Sequence, residues 1–254
     1  MISKAKIKYI NSLELKKNRK TDNVFVAEGP KVVGDLLAVT KANMIVATKE
    51  WMELNTTDNT ETEMIEATEE ELRKVSFLQH PQSVLAIFPQ FSHDMGLDGI
   101  RERLSLALDG IQDPGNLGTI IRIADWFGIE YIYCSMDTAD VYNPKVVQAT
   151  MGSIARVKVV YTDLSSLIDT VTPDTPVYAT LLDGKNIYQQ ELTESGIIVM
   201  GNEGNGISLP IREKINRKLF IPNFPEGRDT AESLNVAIAT AITCNEFRRQ
   251  KKQN

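Results

Sequence analysis

One arginine lies in a stretch whose pattern predicts a helix with a polar side. The segment NLGTIIRIADWFG, residues 116–128, follows the loop DGIQDPG and starts with an asparagine, a residue type that caps helices. At 100° per residue its apolar side chains cluster on one side. The residues on the opposite side are Asn116, Thr119, Arg122 and Asp125. Arg122 is therefore either a solvated surface charge or a cation that meets an anionic partner.

Two other polar segments also follow short apolar runs. GIIVMG leads into GNEGNGIS, residues 201–208, which holds three glycines and the carboxylate of Glu203. KLFIPN leads into NFPEGRDTAESLN and a last helix near Ser233 and Asn235. Glycines let the main chain approach a ligand closely, and serine or asparagine caps a helix. Each segment alone is also typical of an ordinary turn or cap.

The elements that must position these residues alternate regularly from residue 104 onward. Six short apolar runs are separated by helical patterns, which predicts an α/β fold with a mostly parallel sheet and helices on both faces. Such sheets bind ligands at the carboxyl ends of their strands. Residues 1–92 form a smaller α/β block. We therefore predict a first domain at 1–92, a polar linker at 93–103 and a second domain at 104–254.

Composition restricts the class of protein. With 42% apolar and 24% charged residues, the chain resembles an ordinary globular protein, and no apolar run suggests a membrane span or signal peptide. We expect a cytoplasmic protein without membrane association. Cys134 and Cys244 lie in apolar runs and are predicted to be reduced and buried. Two histidines without ligand spacing, and the absence of a Walker loop or a nucleophile elbow, predict no metal and argue against histidine-based hydrolysis.

Charge is strongly segregated along the sequence. The net charge is −6, yet residues 1–20 carry seven bases and one acid, so the remaining residues carry −12. Residues 50–71 contain nine acids and no base. This distribution fits a protein that meets a polyanion at one face. A solvated basic helix at the start of the chain is the alternative.

Together, the three polar segments resemble one protein family. In order, they are similar to the motifs of the SpoU (TrmH) family of RNA ribose 2′-O-methyltransferases, within the SPOUT superfamily. The motifs are N-x-G-x-x-x-R (Asn116, Gly118, Arg122), G-x-E-x-x-G (Gly201, Glu203, Gly206) and S-L-N-V (Ser233 to Val236). The resemblance covers residues 104–250 closely. More loosely, VFVAEGPKVVGDLL in the first block resembles the family's substrate-binding domain, whose fold is like that of certain ribosomal RNA-binding proteins.

The resemblance implies a fold feature, a cofactor and an assembly. Family members tie the last strands and helix into a deep trefoil knot, which periodicity could not predict because knots are nearly absent elsewhere. S-adenosylmethionine lies in that knot and is held largely by main-chain groups. Family members are homodimers whose active sites draw on both chains. The matching cofactor positions here are Leu181, Gly201, Ile221 and Leu234.

The resemblance also assigns activation of the ribose hydroxyl to Arg122. A guanidinium is a poor base because its pKa lies above about 12. Either nearby groups help Arg122 to lose a proton transiently, or it stays charged and stabilises the developing alkoxide; energetics favour the second. The other implied catalytic residues are Asn116, Glu203, Ser233 and Asn235.

RNA recognition is expected from the first domain. Its basic residues predicted to contact phosphates are Lys16, Lys17, Arg19 and Lys20. A domain of this kind favours ribosomal over transfer RNA as the substrate. Two alternatives are an inactive module of the same fold that binds RNA or cofactor, and a small-molecule methyltransferase of the common doubly wound class. The second would need a glycine-rich loop that LDGIQDPGN matches poorly.

Overall fold

The computed structural model describes residues 1–55, 61–171, 175–225, 231 and 233–250, which belong to two compact units. The first unit contains Met1–Ser92 and Asp140–Ala155, and the second contains His93–Ala139 and Arg156–Asn254. The division differs from the predicted one at two places. Residues 93–103 belong to the second unit instead of forming a separate linker, and residues 140–155 belong to the first.

Strands and helices alternate through most of the described chain. The strands are β1 (Val24–Glu28), β2 (Met44–Ala47), β3 (Glu63–Glu66), β4 (Val84–Pro89), β5 (Leu104–Asp109), β6 (Tyr131–Cys134), β7 (Lys158–Tyr161), β8 (Val177–Asn186), β9 (Gly196–Gly201) and β10 (Arg217–Phe220). The helices are α1 (Lys4–Ser12), α2 (Lys16–Asp22), α3 (Pro30–Leu37), α4 (Lys49–Leu54), α5 (Glu69–Arg73), α6 (Leu97–Ile100), α7 (Pro114–Trp126), α8 (Pro144–Ala149), α9 (Leu164–Val171), α10 (Leu209–Arg212) and α11 (Val236–Gln250).

The first unit is built on a four-stranded mixed sheet with the order β1-β4-β2-β3. The β1–β4 and β4–β2 pairs are antiparallel, and the β2–β3 pair is parallel. Every residue of β1 and β2 is buried, so both faces of these strands are covered. Helix α8 lies against β1 and buries Val146 and Val147. Residues 140–155 therefore belong to this unit because they supply part of its apolar core.

Arg19 in α2 is a buried structural residue of the first unit. Its side chain is only 2% exposed. Nη1 donates to the carbonyls of Leu13 at 2.7 Å and Glu14 at 2.6 Å, and Nη2 pairs with Asp140 Oδ2 at 2.6 Å. A guanidinium engaged in this way cannot reach a phosphate without losing buried hydrogen bonds. The predicted phosphate contact of Arg19 is corrected accordingly, whereas Lys16, Lys17 and Lys20 are exposed.

The second unit contains the predicted parallel sheet. Six strands pair in parallel in the order β10-β8-β9-β5-β6-β7. The chain moves one way from β5 to β6 and the other way from β7 to β8. Because such crossovers are right-handed, α7 and α9 cover opposite faces. All of β5, and all of β9 except Gly201, is buried, as expected for strands covered on both sides.

Strand β8 separates from its neighbours at its carboxyl end. It pairs with β9 only as far as Ala179, opposite Val199. Its pairing with β10 passes from Ala179 opposite Lys218 directly to Lys185 opposite Leu219, so residues 180–184 lie outside the ladder. The sheet therefore opens between β8 and β9 at the edge where parallel sheets bind ligands.

The two cysteines lie in the interior of the fold. Cys134 and Cys244 are free and buried, which confirms reduced thiols. Burial raises the pKa of both thiols, that of Cys244 to about 12.

None of the described helices is long and apolar enough to cross a bilayer. The part of the chain that the structure describes also contains no group of three His, Cys, Asp or Glu residues suited to hold a metal ion.

Candidate active site

Helix α7 begins three residues earlier than a cap at Asn116 predicts. Its N-cap is Asp113, whose carboxylate accepts from Asn116 N at 2.7 Å, and Pro114 is the first helical residue. Asn116 is therefore not the cap but a residue of the first turn. This difference matters for the site because a capping asparagine would turn its side chain onto its own helix. Here the Asn116 amide is available to other loops.

Three predicted residues meet through their side chains. Asn116 Nδ2 donates to Glu203 Oε1 at 2.9 Å, and Asn235 Nδ2 donates to Asn116 Oδ1 at 2.9 Å. The three residues come from α7, from the loop after β9 and from the start of α11. A second, longer contact of 3.4 Å joins Gln112 N to Glu203 Oε2. The structure thus brings together the parts of all three sequence motifs.

The direction of this hydrogen-bond chain is fixed by the N-terminus of α11. Asn235 Oδ1 caps that helix by accepting from Ala237 N at 3.0 Å and Ile238 N at 3.3 Å. Its Nδ2 must therefore face Asn116, whose own Oδ1 accepts and whose Nδ2 points to Glu203. The chain ends on a carboxylate, which is acceptor-only when ionised. Glu203 thus completes an ordered donor–acceptor sequence that starts at helix main-chain N–H groups.

Glu203 lies on an exposed glycine-bearing loop that is itself well ordered by hydrogen bonds. Asn202 and Gly206 exchange two main-chain hydrogen bonds of 2.9 Å each. At Gly201 an added Cβ would lie 2.5 Å from the main chain of Gly206 and Ile207, so this close return requires glycine. At the end of this loop, Ser208 N donates to Asp109 Oδ2 at 2.7 Å. This bond joins the loop to the end of β5.

Arg122 lies on the same helix as Asn116, about 9 Å further along its axis. The apolar stripe opposite it is buried as predicted, at Leu117, Ile120, Ile121 and Ala124. Arg122 itself is exposed and has no hydrogen bond or ion pair with any residue that the structure describes. A guanidinium in this state keeps all five of its donors available for an anionic ligand.

The remaining predicted site residues occupy separate places. Ser233 is exposed two residues before Asn235 and makes no hydrogen bond to the three-residue chain within the described residues. The predicted cofactor positions Leu181, Gly201 and Ile221 are half-buried, and Leu234 is 50% exposed. Leu181 lies in the part of β8 outside the ladder, and Gly201 ends the neighbouring strand. These two residues therefore border the opening at the carboxyl edge of the sheet.

Comparison with known proteins connects this geometry to a family. A family model of SpoU rRNA methylases matches residues 103–245. The chain belongs to the SpoU rRNA methylase family. A second model, of an MRM3-like substrate-binding domain, matches residues 4–86. The 23S rRNA (guanosine(2553)-2′-O)-methyltransferase RlmP of Bacillus subtilis is 31% identical over 239 residues, which is 93% of each chain.

Solved structures of SpoU and TrmH proteins share the whole fold. A TrmH-family protein from Porphyromonas gingivalis is 39% identical, with a TM-score of 0.87 over 99% of this chain and all of that one. An AdoMet-bound rRNA methyltransferase from Sinorhizobium meliloti is 29% identical, with a TM-score of 0.85 over all of this chain and 97% of that one. The similarity extends across both units rather than the second unit alone.

The SpoU site also contains residues that motif comparison gave no role. Asp113 sets the start of α7, and the sequence signal for it is Pro114, because proline is favoured at the first helical position. Asn202 contacts the loop after β5 through its side chain, at Gly110 O. No local sequence signal reveals that contact, because its partner lies 92 residues away.

Proposed function

We propose that this chain transfers a methyl group from S-adenosylmethionine to a ribose 2′-hydroxyl of RNA, and that the RNA is ribosomal. The observation that carries the proposal is the ordered chain from Asn235 through Asn116 to Glu203, beside an Arg122 on the same helix as Asn116 that has no partner among the described residues. Family membership and the names of the relatives support the reaction class. RlmP acts on 23S rRNA, which supports ribosomal over transfer RNA.

The opening at the carboxyl edge of the sheet fits the methyl donor. Residues 180–184 leave the ladder, so main-chain N–H and C=O groups are not used by sheet pairing there, while side chains such as Leu181 and Ile221 are apolar. Main-chain groups outside the ladder can bond to a ligand, and an adenosyl group offers both polar and apolar surfaces. Leu181, Gly201, Ile221 and Leu234 would hold it. When bound, S-adenosylmethionine supplies a methyl group on a sulfonium that is a good leaving group.

Arg122 provides the charge that the reaction needs. A substrate phosphate pairs with its guanidinium, which fixes the ribose beside the helix. Transfer would form a bond between the 2′-oxygen and the methyl carbon and would break the carbon–sulfur bond, whose electron pair would stay with the leaving thioether, while the hydroxyl proton would pass to solvent. Arg122 stays protonated and stabilises the negative charge that develops on the oxygen. Asn116 and Glu203 act by orientation, because an ordered amide and a carboxylate define where a hydroxyl can bind.

The knot and the dimer are further parts of the proposal. Strand β10 forms one edge of the sheet, yet α11, which comes later in the chain, lies against α7 and β9 further inward. This return of the chain supports threading of the last segment. On α11, Val236 and Ala237 are buried whereas Ile238 is 53% exposed. An exposed apolar side chain in the first turn of this helix suits a second copy of the chain.

Oligomeric state tests the dimer directly. Replacing Ile238 by aspartate should give a monomer in analytical ultracentrifugation, because a charge would enter an apolar interface. The control is Leu54→Asp, since Leu54 is 84% exposed in the first unit. A dimer that persists in the Ile238 variant contradicts this interface.

In the first unit, the exposed Lys16, Lys17 and Lys20 of α2 are proposed to contact RNA phosphates, with the buried Arg19 holding the helix in place. Replacing the three lysines by glutamine should reduce the slope of log affinity against log salt by about 2. The matched control replaces Lys31, Lys41 and Lys49, each of which already pairs with a carboxylate. Equal slopes for both triple variants would rule out the α2 contact. The cytoplasmic location stays a prediction.

Methyl transfer itself is tested with labelled S-adenosylmethionine and separate ribosomal and transfer RNA fractions. We expect label in ribosomal RNA, located on a ribose 2′-oxygen by nuclease digestion and mass spectrometry. Label on transfer RNA alone would correct the substrate class. Absence of label from both fractions, with S-adenosylmethionine binding intact by calorimetry, would support an inactive binding module instead.

A further inference from the structure

The peptide of Gly110 is held from both sides by side chains of neighbouring loops. Gly110 follows β5 with a φ of 72°, a left-handed conformation that favours glycine. Its N–H donates to Ser135 Oγ at 2.8 Å, and its carbonyl accepts from Asn202 Nδ2 at 2.6 Å. Ser135 follows β6 and Asn202 follows β9, the two strands that flank β5. The loop that leads to α7 is thus fixed between its neighbours.

Asn202 uses its other amide atom to shape its own loop. Oδ1 accepts from Gly204 N and Asn205 N, each at 2.9 Å. Because these two donors occupy Oδ1, Nδ2 has to face an acceptor, and Gly110 O is that acceptor. One side chain therefore folds the loop that carries Glu203 and joins it to the loop that leads to Asn116.

Glu203 depends on this support because it is exposed. Its described contacts are the 2.9 Å bond from Asn116 and the 3.4 Å bond from Gln112 N, and water competes with both. The main chain beside it is fixed by Asn202. We infer that Asn202 is a positioning residue for methyl transfer that acts through Glu203. This inference rests on the proposed function and adds a residue to it; both side-chain amide atoms of Asn202 are already bonded to main-chain groups of the protein.

The test compares three variants of the full chain. Asn202→Ala should lower kcat for methyl transfer by about 10- to 100-fold, because displacement by about 1 Å costs up to about 10²-fold. The KM for RNA and the Kd for S-adenosylmethionine should stay within about threefold, since the amide atoms of Asn202 are engaged within the protein. Asn205→Ala is the matched control from the same loop, and we expect wild-type kcat. Asn202→Asp keeps the acceptor for Gly204 and Asn205 while removing the donor to Gly110, so it serves if the alanine variant unfolds.

A double-mutant cycle with Glu203→Gln separates positioning from a general structural role. If Asn202 acts through Glu203, adding Asn202→Asp to the Glu203 variant should lower kcat by less than about threefold more. Multiplying effects, or an S-adenosylmethionine Kd that rises in step with the loss of kcat, would overturn the inference. Wild-type kcat in Asn202→Asp would overturn this inference and leave the proposed function standing. No transfer by the wild-type chain would overturn the proposed function and this inference together.

Discussion

The amino and carboxyl edges of the large sheet, where its strands begin and end, hold their charges in opposite ways. At the amino edge, Arg103 pairs with Glu130, and Lys158 pairs with the same carboxylate at 2.7 Å. Lys158 also donates to Tyr131 OH at 3.0 Å, and Tyr131 OH donates to Asp94 at 2.8 Å. Each of these charges has a partner. The arrangement is typical of a cluster whose role is to join the ends of neighbouring strands.

At the carboxyl edge, the carboxylate of Glu203 is bound by amide and main-chain N–H groups instead of by a cation. Arg122, on the helix that follows β5, has no partner within the described residues. Opposite charges that do not form an ion pair with each other are available to bind a substrate. Local charge content therefore does not identify a functional site, whereas the pairing of those charges does.

The largest expected effect separates the two arginines. Arg122→Ala should reduce methyl transfer by about 10²- to 10⁴-fold while S-adenosylmethionine binding stays near wild type, because a charge that stabilises the transition state is lost. Arg103→Ala should leave kcat unchanged and lower the free energy of unfolding by less than about 1 kcal/mol. Kinetics and calorimetry on both variants measure this. If Arg122→Ala also lost cofactor binding, its role would be structural.

A smaller effect tests the direction of the hydrogen-bond chain. Asn235→Asp keeps an acceptor for the N-terminus of α11 but replaces the donor to Asn116 by a carboxylate oxygen. Transfer should fall by about 10²-fold, while the free energy of unfolding changes by less than about 1 kcal/mol because the cap is retained. Asn235→Ala should lose activity and also about 1 kcal/mol of stability. Equal stability losses in both variants would contradict this account.

The smallest effect concerns pH at the amino edge. Lys158, followed by Arg103, holds the pKa of Glu130 below its usual value of 4.5. A carboxyl with a lowered pKa stabilises the fold at pH values above its unfolded pKa, and that contribution disappears as pH falls through the folded-state pKa. Glu130→Gln should therefore lower Tm slightly near neutral pH and match wild type in strong acid. A Tm difference that does not depend on pH would show that the ion pair contributes nothing.

Much of this architecture can be predicted from local patterns. The short apolar runs that form β5 and β9 are typical of buried parallel strands, because both faces of such strands are covered. The family motifs identified Asn116, Glu203 and Asn235, whose side chains do meet. The start of α7 was misplaced because Asp113 and Asn116 are both good capping residues, and only Pro114 distinguishes them.

What could not be predicted depends on distant partners. Burial of Arg19 requires Asp140, which is 121 residues away, so its local sequence reads as one more surface base. Separation of β8 from the sheet at residues 180–184 leaves no mark in its apolar pattern. Helix α8 has the same periodicity whichever unit it packs against. Each of these features is decided by tertiary contacts that override local preference.

The discontinuity of the first unit has a consequence for how the chain is made and divided. A ribosome releases β1 long before α8, so the apolar face of β1 stays uncovered until residue 155 has emerged, after β5, α7 and β6. The amino-terminal unit therefore cannot finish folding first, although synthesis usually favours that order. A fragment cut after Ser92 would lack Val146 and Val147 from its interior, and we expect it to aggregate when expressed alone.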